Sequence, residues 1–218
     1  MDNLAAVCEA LASAGVAFKK TLSNDRSFDA CKQDIAIALD PDGYHIALLP
    51  LPKATTAETP NKALWRFSHT MLRVKNVEES IYYYDCYLGM STLRHVTNRG
   101  KENFEQAFVG YYRKDSELKG KTIDNILGRE GVVELVQYRG TDKDPEVKYH
   151  NGNDQPQGFG HLCISVDDLD LACERFDNLQ DIKWKKRLTD GRMKNVAFLI
   201  DPDGYWIEYV LLTNLSLC

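Results

Sequence analysis

One eight-residue pattern occurs twice in this 218-residue chain and constrains its fold more than any other feature. The pattern reads Asp-Pro-Asp-Gly-Tyr-His-Ile-Ala at 40–47 and Asp-Pro-Asp-Gly-Tyr-Trp-Ile-Glu at 201–208. Each copy follows a similar stretch, AVCEALASAGVAFKK or LACERFDNLQDIKWKK, which predicts an amphipathic helix and a short strand ending in paired lysines. Pro-Asp-Gly predicts a tight turn between two further strands, because glycine readily adopts positive φ. The chain is therefore built from repeated units.

The repeats divide the chain into one incomplete unit and two complete ones. Residues 66–212 follow the order strand, helix and three strands (βαβββ) twice, so the predicted fold class is α+β with paired βαβββ units. The segment VEESIYYYDCYLGM predicts a helix ending at Gly89. Residues 1–50 resemble a third unit without its opening strand, a vestigial half-module. A Pro- and Thr-rich stretch at 51–64 predicts a linker, which leaves 65–213 as the complete module.

Composition argues against several classes of function. A net charge of −5 provides no general attraction to nucleic acid or to an anionic membrane. The N-terminus is acidic and has no long apolar run, so we expect no signal peptide, no membrane anchor and a cytoplasmic location. The six cysteines show no CxxC pair and no disulfide-framework spacing, which indicates reduced, mostly buried thiols. Cys163 and Cys173 occupy apolar strand and helix positions, and we expect both to pack in the core.

Four polar residues occupy equivalent places in the two complete units: His69, Glu134, His161 and Glu208. Taken singly, a strand glutamate is more often solvated, and a histidine is more often an ordinary core or surface residue. A buried carboxylate is costly without a partner, however, and a shared cation would satisfy all four side chains together. Two imidazoles and two carboxylates suit zinc, and also nickel, cobalt or manganese. The symmetry of the four positions favours a metal site.

Six stretches, in this order, resemble the glyoxalase I (lactoylglutathione lyase) family of the vicinal oxygen chelate superfamily: HTMLRV, ESIYYYDCYLGM, VVELVQYRGTD, YHNGN, GFGHLCISV and DGRMKNVAFLIDPDGYWIE. The resemblance covers residues 65–212 and is to a C-terminal portion of a fused two-module eukaryotic form. It implies that His69, Glu134, His161 and Glu208 bind one divalent metal. It also implies that the hemithioacetal of methylglyoxal and glutathione is isomerised to S-D-lactoylglutathione. Glu208 matches the family's base, and Glu134 is expected to assist on the opposite face.

The same resemblance assigns residues to the thiol cosubstrate. Arg73 matches the residue that meets the glutamyl carboxylate of glutathione, a role that suits a forked guanidinium. Lys186 and Arg192 match basic positions near the glycine end, and Met193 matches an apolar contact; solvated surface charge is the competing interpretation for the basic residues. Two positions depart from the family pattern, because Tyr138 replaces an asparagine and Gln157 an arginine. We therefore expect weakened glutathione affinity or a different thiol.

Three further expectations follow from the resemblance. The segment DSELKGKTIDNILGREG at 115–131 resembles an insertion of the zinc-type members, which favours zinc over nickel. Ala47 occupies the place of Glu208 in the N-terminal copy, so that unit lacks the base and is expected to serve only in packing. The four metal ligands could meet within one chain or between two chains of a homodimer.

Two alternatives to this function stay open. One is another metal-dependent enzyme of the same superfamily that uses a different thiol. The other is a catalytically dead binding module, which the missing thiol contacts favour and the retention of four ligands opposes. A ring-cleaving dioxygenase is disfavoured, because such enzymes prefer two histidines and a single carboxylate.

Overall fold

The computed structural model describes residues 4–22, 35–50, 67–98, 103–111 and 129–213. The first complete unit consists of β4 (His69–Arg73), α2 (Val77–Tyr82), β5 (Ser91–Asn98), β6 (Phe104–Gly110) and β7 (Val132–Tyr138). Its strands form a four-stranded sheet in the order β4-β7-β6-β5, in which β4 runs parallel to β7 and the other pairs are antiparallel. The predicted βαβββ order is confirmed.

The second complete unit repeats this topology. Its elements are β8 (His161–Val166), α3 (Leu169–Asp177), β9 (Lys183–Lys186), β10 (Val196–Ile200) and β11 (Trp206–Leu211). Its sheet has the order β8-β11-β10-β9, and again the first strand pairs in parallel with the last. The α+β fold class with paired units is therefore confirmed.

The N-terminal residues form a smaller αβββ unit. The elements of this unit are α1 (Leu4–Ser13), β1 (Phe18–Lys20), β2 (Ala36–Leu39) and β3 (His45–Leu48). The three strands form an antiparallel sheet in the order β1-β2-β3, which packs with α1 around a separate small core. The buried side chains are aliphatic: Leu4, Ala36, Ala38 and Leu48.

The helix of the first complete unit ends where predicted, but its second half is not regular α-helix. Its N-cap is Asn76, whose side chain accepts the backbone N–H groups of Glu78 and Glu79. After Tyr82 it continues as a π-helical segment, Tyr83–Tyr87, rather than as regular α-helix. Gly89 follows with φ at +74°, the left-handed conformation expected of a helix end.

Tyrosines of this helix join the two complete units. Tyr84 is fully buried and donates its hydroxyl to Asp201, while Tyr83 donates to the carbonyl of Ile200. The two units share one hydrophobic core, to which both sheets contribute. Asp203 accepts the backbone N–H of Lys75 at 2.8 Å. The two complete units are thus packed together by apolar surface and by buried polar contacts.

Of the remaining predictions, one is confirmed, one is wrong and others lie outside the described residues. Cys173 is buried as expected, but Cys163 is exposed, because it lies on the face of β8 opposite to the buried Ile164. The predicted linker at 51–64 and most of 115–131 lie outside the described residues. The domain boundaries therefore stay predictions. None of the helices in the described ranges has the length and apolarity that a membrane crossing requires.

Candidate metal centre

The first half of the candidate site lies on the paired strands β4 and β7. His69 opens β4, and Glu134 lies in the middle of β7, with Nε2 and Oε2 3.1 Å apart. Their side chains are only 12% and 11% exposed. Both come from strands that are neighbours because the first and last strands of the unit pair in parallel. We call this pair the first half-site.

The second half-site repeats the arrangement in the other unit. His161 opens β8 and Glu208 lies in β11, and their Nε2 and Oε2 atoms are again 3.1 Å apart. The imidazole of His161 is more open, at 39% exposed, while Glu208 is 17% exposed. Two parallel-paired strands thus place one histidine beside one glutamate in each complete unit.

The spacing within each half-site fits a shared metal ion. Imidazole nitrogen and carboxylate oxygen bind ions such as zinc at about 2.0–2.2 Å, so two neighbouring donors on one ion lie about 3.0–3.5 Å apart in octahedral to tetrahedral geometry. The 3.1 Å separations meet this condition in both half-sites. The donor types, one imidazole and one carboxylate in each pair, fit a borderline divalent ion.

The chain does not bring all four donors into one cluster. Within the described residues, the one group of three or more ligand atoms lying within 4.8 Å of one another is Glu78, His95 and Glu105. That group is largely exposed and was not predicted from the sequence. The four predicted ligands therefore form two pairs, and closure of a single four-ligand site within the chain is not seen.

Each histidine packs edge-on against a phenylalanine that sequence reasoning missed. His69 contacts Phe108 at 5.7 Å between ring centroids, and His161 contacts Phe198 at 5.4 Å. Phe108 pairs with Glu134 in register, and Phe198 pairs with Glu208 in the same way. The signal was present in the sequence, because both units place Ala-Phe in their third strand. These rings orient the imidazoles beside the carboxylates.

The glutamates have different additional neighbours, which sequence reasoning also missed. The side-chain amide of Gln106 donates to Oε1 of Glu134. Cys163 lies directly opposite Glu208 on the neighbouring parallel strand. Although the residue as a whole is exposed, desolvation of its sulfur first, and then its interaction with the carboxylate of Glu208, raise the pKa of the thiol to about 11. The thiol therefore stays protonated and can act as a donor near neutral pH.

The predicted thiol-binding residues are placed as follows. Arg73 shares a face of β4 with His69, and its guanidinium lies over the ring of Tyr138, 5.2 Å from the centroid. Tyr138, which departs from the family pattern, thus contacts the residue assigned to the glutamyl carboxylate. Gln157 is exposed in the loop before β8.

The basic residues near β9 have separate roles in the structure. The ammonium of Lys186 donates to the carbonyls of Arg187, Met193 and Val196, at 2.6–3.2 Å. An ammonium has three donors, so these contacts use its full capacity. Arg192 and Met193 lie in the exposed loop that Lys186 holds.

The loop before β8 is tied to the second half-site by two asparagines of the YHNGN stretch. Asn153 donates to the carbonyl of Gly160, the residue that precedes His161. Asn151 donates to the carbonyl of Gly204 in the turn before β11. The loop thus connects the starts of both strands that bear His161 and Glu208.

Comparison with known proteins identifies the family. Residues 66–209, which include both half-sites, match the Glyoxalase/Bleomycin resistance protein/Dioxygenase superfamily. The chain belongs to this superfamily. The membership applies to the two complete units and agrees with the resemblance inferred from the sequence.

Similar proteins from this superfamily include lactoylglutathione lyases. The chain is 40% identical over 212 residues to glyoxalase I of Saccharomyces cerevisiae, with 96% of this chain and 61% of that protein covered. It is 39% identical over 175 residues to a lactoylglutathione lyase of Pseudomonas putida, with 76% and 95% covered. The fold is similar to that of glyoxalase I from Zea mays, with a TM-score of 0.69 at 23% identity, covering 99% of this chain and 66% of that one. The chain thus spans less than two thirds of the yeast relative.

Proposed function

We propose that this chain isomerises the hemithioacetal of methylglyoxal and glutathione to S-D-lactoylglutathione, as a metal-dependent lactoylglutathione lyase. The observation that carries the proposal is the repeated His–Glu pair, with donor atoms 3.1 Å apart in each of two equivalent units. Relatives named lactoylglutathione lyase support the choice of reaction. Zinc is the proposed metal, and the cytoplasm is the proposed location.

The proposed mechanism is a proton transfer between neighbouring carbon atoms. His69, Glu134, His161 and Glu208 would hold the metal, which supplies Lewis-acid stabilisation of negative charge on the substrate oxygens. The carboxylate of Glu208 removes the proton from the carbon that bears sulfur and returns it to the adjacent carbon, while the hydroxyl proton on the first carbon passes to the oxygen on the second. Glu134 assists on the opposite face. The reaction is an isomerisation, so no redox cofactor is required.

We propose that the protein binds both ends of the glutathione part of the substrate. Arg73 is exposed and binds the glutamyl carboxylate, and its guanidinium is supported by the ring of Tyr138. Arg192 and Met193 contact the other end of the substrate. Lys186 contributes by holding their loop through three backbone carbonyls. Because Tyr138 and Gln157 replace two expected contacts, we propose a weaker affinity for glutathione than the family pattern implies.

The proposed active form is a homodimer with its sites between chains. The separation of the two half-sites within the chain supports this arrangement, because each half-site would be completed by the other half-site of a second copy. Residues 65–213 would form the module that dimerises, residues 51–64 a linker, and residues 1–50 a vestigial half-module that covers part of the surface.

A direct assay tests the reaction. Metal-free protein is mixed with methylglyoxal and glutathione, and thioester formation is followed by absorbance before and after addition of zinc, nickel, cobalt or manganese. We expect activity that a chelator removes and that zinc restores. Absence of thioester formation with all four metals would refute the lyase function and favour a binding module. Activity with another thiol but none with glutathione would refute the proposed cosubstrate.

Complementation tests the location of the site. Glu134→Gln and Glu208→Gln variants are purified separately, then unfolded, mixed and refolded together. In a mixed dimer with shared sites, one site carries both substitutions and the other is intact, so random exchange restores about a quarter of wild-type activity. Sites closed within one chain give no restoration.

A further inference from the structure

The two half-sites are related by the repeat, yet their glutamates have different hydrogen-bond donors. Glu134 is opposite Met71 on the parallel strand, and Glu208 is opposite Cys163. Met71 offers no hydrogen-bond donor, whereas Cys163 offers a thiol. This is the first of two positions at which the possible hydrogen-bond donors to the two glutamates differ.

The second position lies two residues before the phenylalanine of each half-site. Gln106 precedes Phe108, and Val196 precedes Phe198 on the equivalent strand. Gln106 donates its amide to Oε1 of Glu134, while the equivalent valine has no donor to offer Glu208. Glu134 therefore receives an amide donor, whereas Glu208 faces only the thiol of Cys163 on a different strand.

The orientation of the Gln106 amide shows that its nitrogen is used for this contact. Its side-chain oxygen is buried and has no hydrogen-bond partner, which is a costly arrangement for an amide. A flipped amide would place that oxygen against the carboxylate of Glu134. The donor therefore faces Glu134, and Oε2 of the same carboxylate remains beside His69.

The two donors differ in strength. An amide N–H bound to a carboxylate makes a charge-assisted hydrogen bond, whereas a thiol is a weak donor. A carboxylate whose main task is to bind the metal benefits from being fixed by a neighbour. A carboxylate that carries a proton between two carbons has to change its position relative to the substrate, so a weak contact suits it better.

We propose that Gln106 is a positioning residue that fixes Glu134 as a metal ligand, while Glu208, which has no amide donor and is opposite only the thiol of Cys163, is free to act as the base. The inference rests on the proposed function, and it explains how two repeated glutamates take different roles. It concerns hydrogen bonding to the carboxylates and holds for any divalent ion bound there.

Exchanging residues between equivalent positions tests this asymmetry. Gln106→Val gives the first half-site the residue of the second, and Cys163→Met gives the second the residue of the first. Val196→Gln adds an amide donor for Glu208. Gln180→Val, at an exposed glutamine after α3, controls for the loss of a glutamine side chain. Thermal unfolding confirms that each variant is folded, and Gln106→Leu replaces Gln106→Val if the latter does not fold.

Metal affinity is the first measurement, made by competition for Zn²⁺ with a chromophoric chelator. We expect the Kd of Gln106→Val to rise about tenfold, and that of Cys163→Met and Gln180→Val to stay within about twofold of wild type. An unchanged Kd for Gln106→Val would overturn the proposal. A loss of Zn²⁺ affinity in Cys163→Met as large as that in Gln106→Val would also overturn the proposal.

Turnover is the second measurement. Val196→Gln is expected to lower kcat about fivefold without weakening metal binding, because the added donor restrains the base. If the kcat of Val196→Gln equals that of the wild type, the proposal that Glu208 acts as the base because its carboxylate is unrestrained is wrong. If the wild type shows no lyase activity with any metal, the proposed function fails, while the comparison of Zn²⁺ affinities still decides whether Gln106 fixes Glu134.

Discussion

The two copies of the Asp-Pro-Asp-Gly-Tyr turn share their backbone and differ in their surroundings. In both copies the first aspartate accepts the N–H groups of the residues two and four positions later, at 2.7–3.0 Å. In the N-terminal copy Tyr44 is 47% exposed, whereas its counterpart Tyr205 is 6% exposed. The comparison shows that this turn is determined by its own sequence. Burial and chemistry are determined by the unit packed against it.

The largest expected difference between the copies is catalytic. Glu208→Gln should lower turnover by about 10²–10⁴-fold, because general-base catalysis typically contributes that much to the rate and glutamine keeps the side-chain volume without acting as a base. Ala47→Glu places a carboxylate at the equivalent position of the N-terminal copy and should leave turnover unchanged. Both variants are assayed with methylglyoxal and glutathione. Undiminished turnover in Glu208→Gln would refute the assigned base.

The next difference concerns pH. Burial, and secondarily the charge of Asp203, raise the pKa of Asp201 from 3.8 to about 7, although hydrogen bonds from Tyr84 and Tyr205 oppose the shift. Between about pH 4 and 7 the folded chain keeps a proton on Asp201 that the unfolded chain has lost. The free energy of unfolding should therefore fall as pH rises through this window, by up to about 1.4 kcal/mol per pH unit from this group.

Asp201→Asn should remove that contribution to the slope. The measurement is denaturant unfolding of wild type and variant at several pH values between 4 and 8. Parallel curves for the two proteins would contradict the assignment, because the slope would then come from other groups.

A smaller difference is expected at the second aspartate of each copy. Asp203→Ala leaves the N–H of Lys75 without its partner and should lower the free energy of unfolding by about 1–3 kcal/mol. Asp42 is the matched position in the exposed copy, and Asp42→Ala should change stability by less than about 0.5 kcal/mol. If Asp203→Ala and Asp42→Ala lose the same free energy of unfolding, contact between the two complete units does not explain the difference between the two copies of the turn.

The smallest difference is expected at the glycines, where the copies should behave alike. Gly43 and Gly204 have φ angles of +85° and +92°, and neither has an atom within 3.4 Å of an added Cβ. Alanine at either position should cost about 1–2 kcal/mol through backbone strain alone. Amide hydrogen exchange of each turn measures the local cost, and clearly unequal costs would contradict a turn determined by its own sequence.

The sequence predicted those features that depend on short-range pattern. The βαβββ order and the turns follow from periodicity and from the internal repeat, and the repeat also singled out the four residues of the half-sites. Cys163 was wrongly assigned to the core because β8 was treated as uniformly apolar. Strict alternation would have placed Cys163 on the face of His161, two residues earlier, and Ile164 on the buried face.

Features that depend on contact between distant segments could not be predicted. Gln106 meets Glu134 only because β6 and β7 pair, and Asp203 meets Lys75 only because the two units pack together. Nothing in the local pattern of Gln106 or Asp203 distinguishes it from a solvated polar residue. The separation of the four ligands into two pairs is likewise a property of how the units are arranged.

The parallel pairing of the first strand of each unit with its last has a consequence for the order of folding. His69 and Glu134 lie at opposite ends of one unit in the sequence, as do His161 and Glu208. Contacts of such long range form slowly, because the intervening chain has to be ordered before the outer strands can pair. A half-site therefore forms only when its whole unit has folded. Metal capture would then report completion of the fold, and an incompletely folded chain would offer no assembled His–Glu pair to bind an ion.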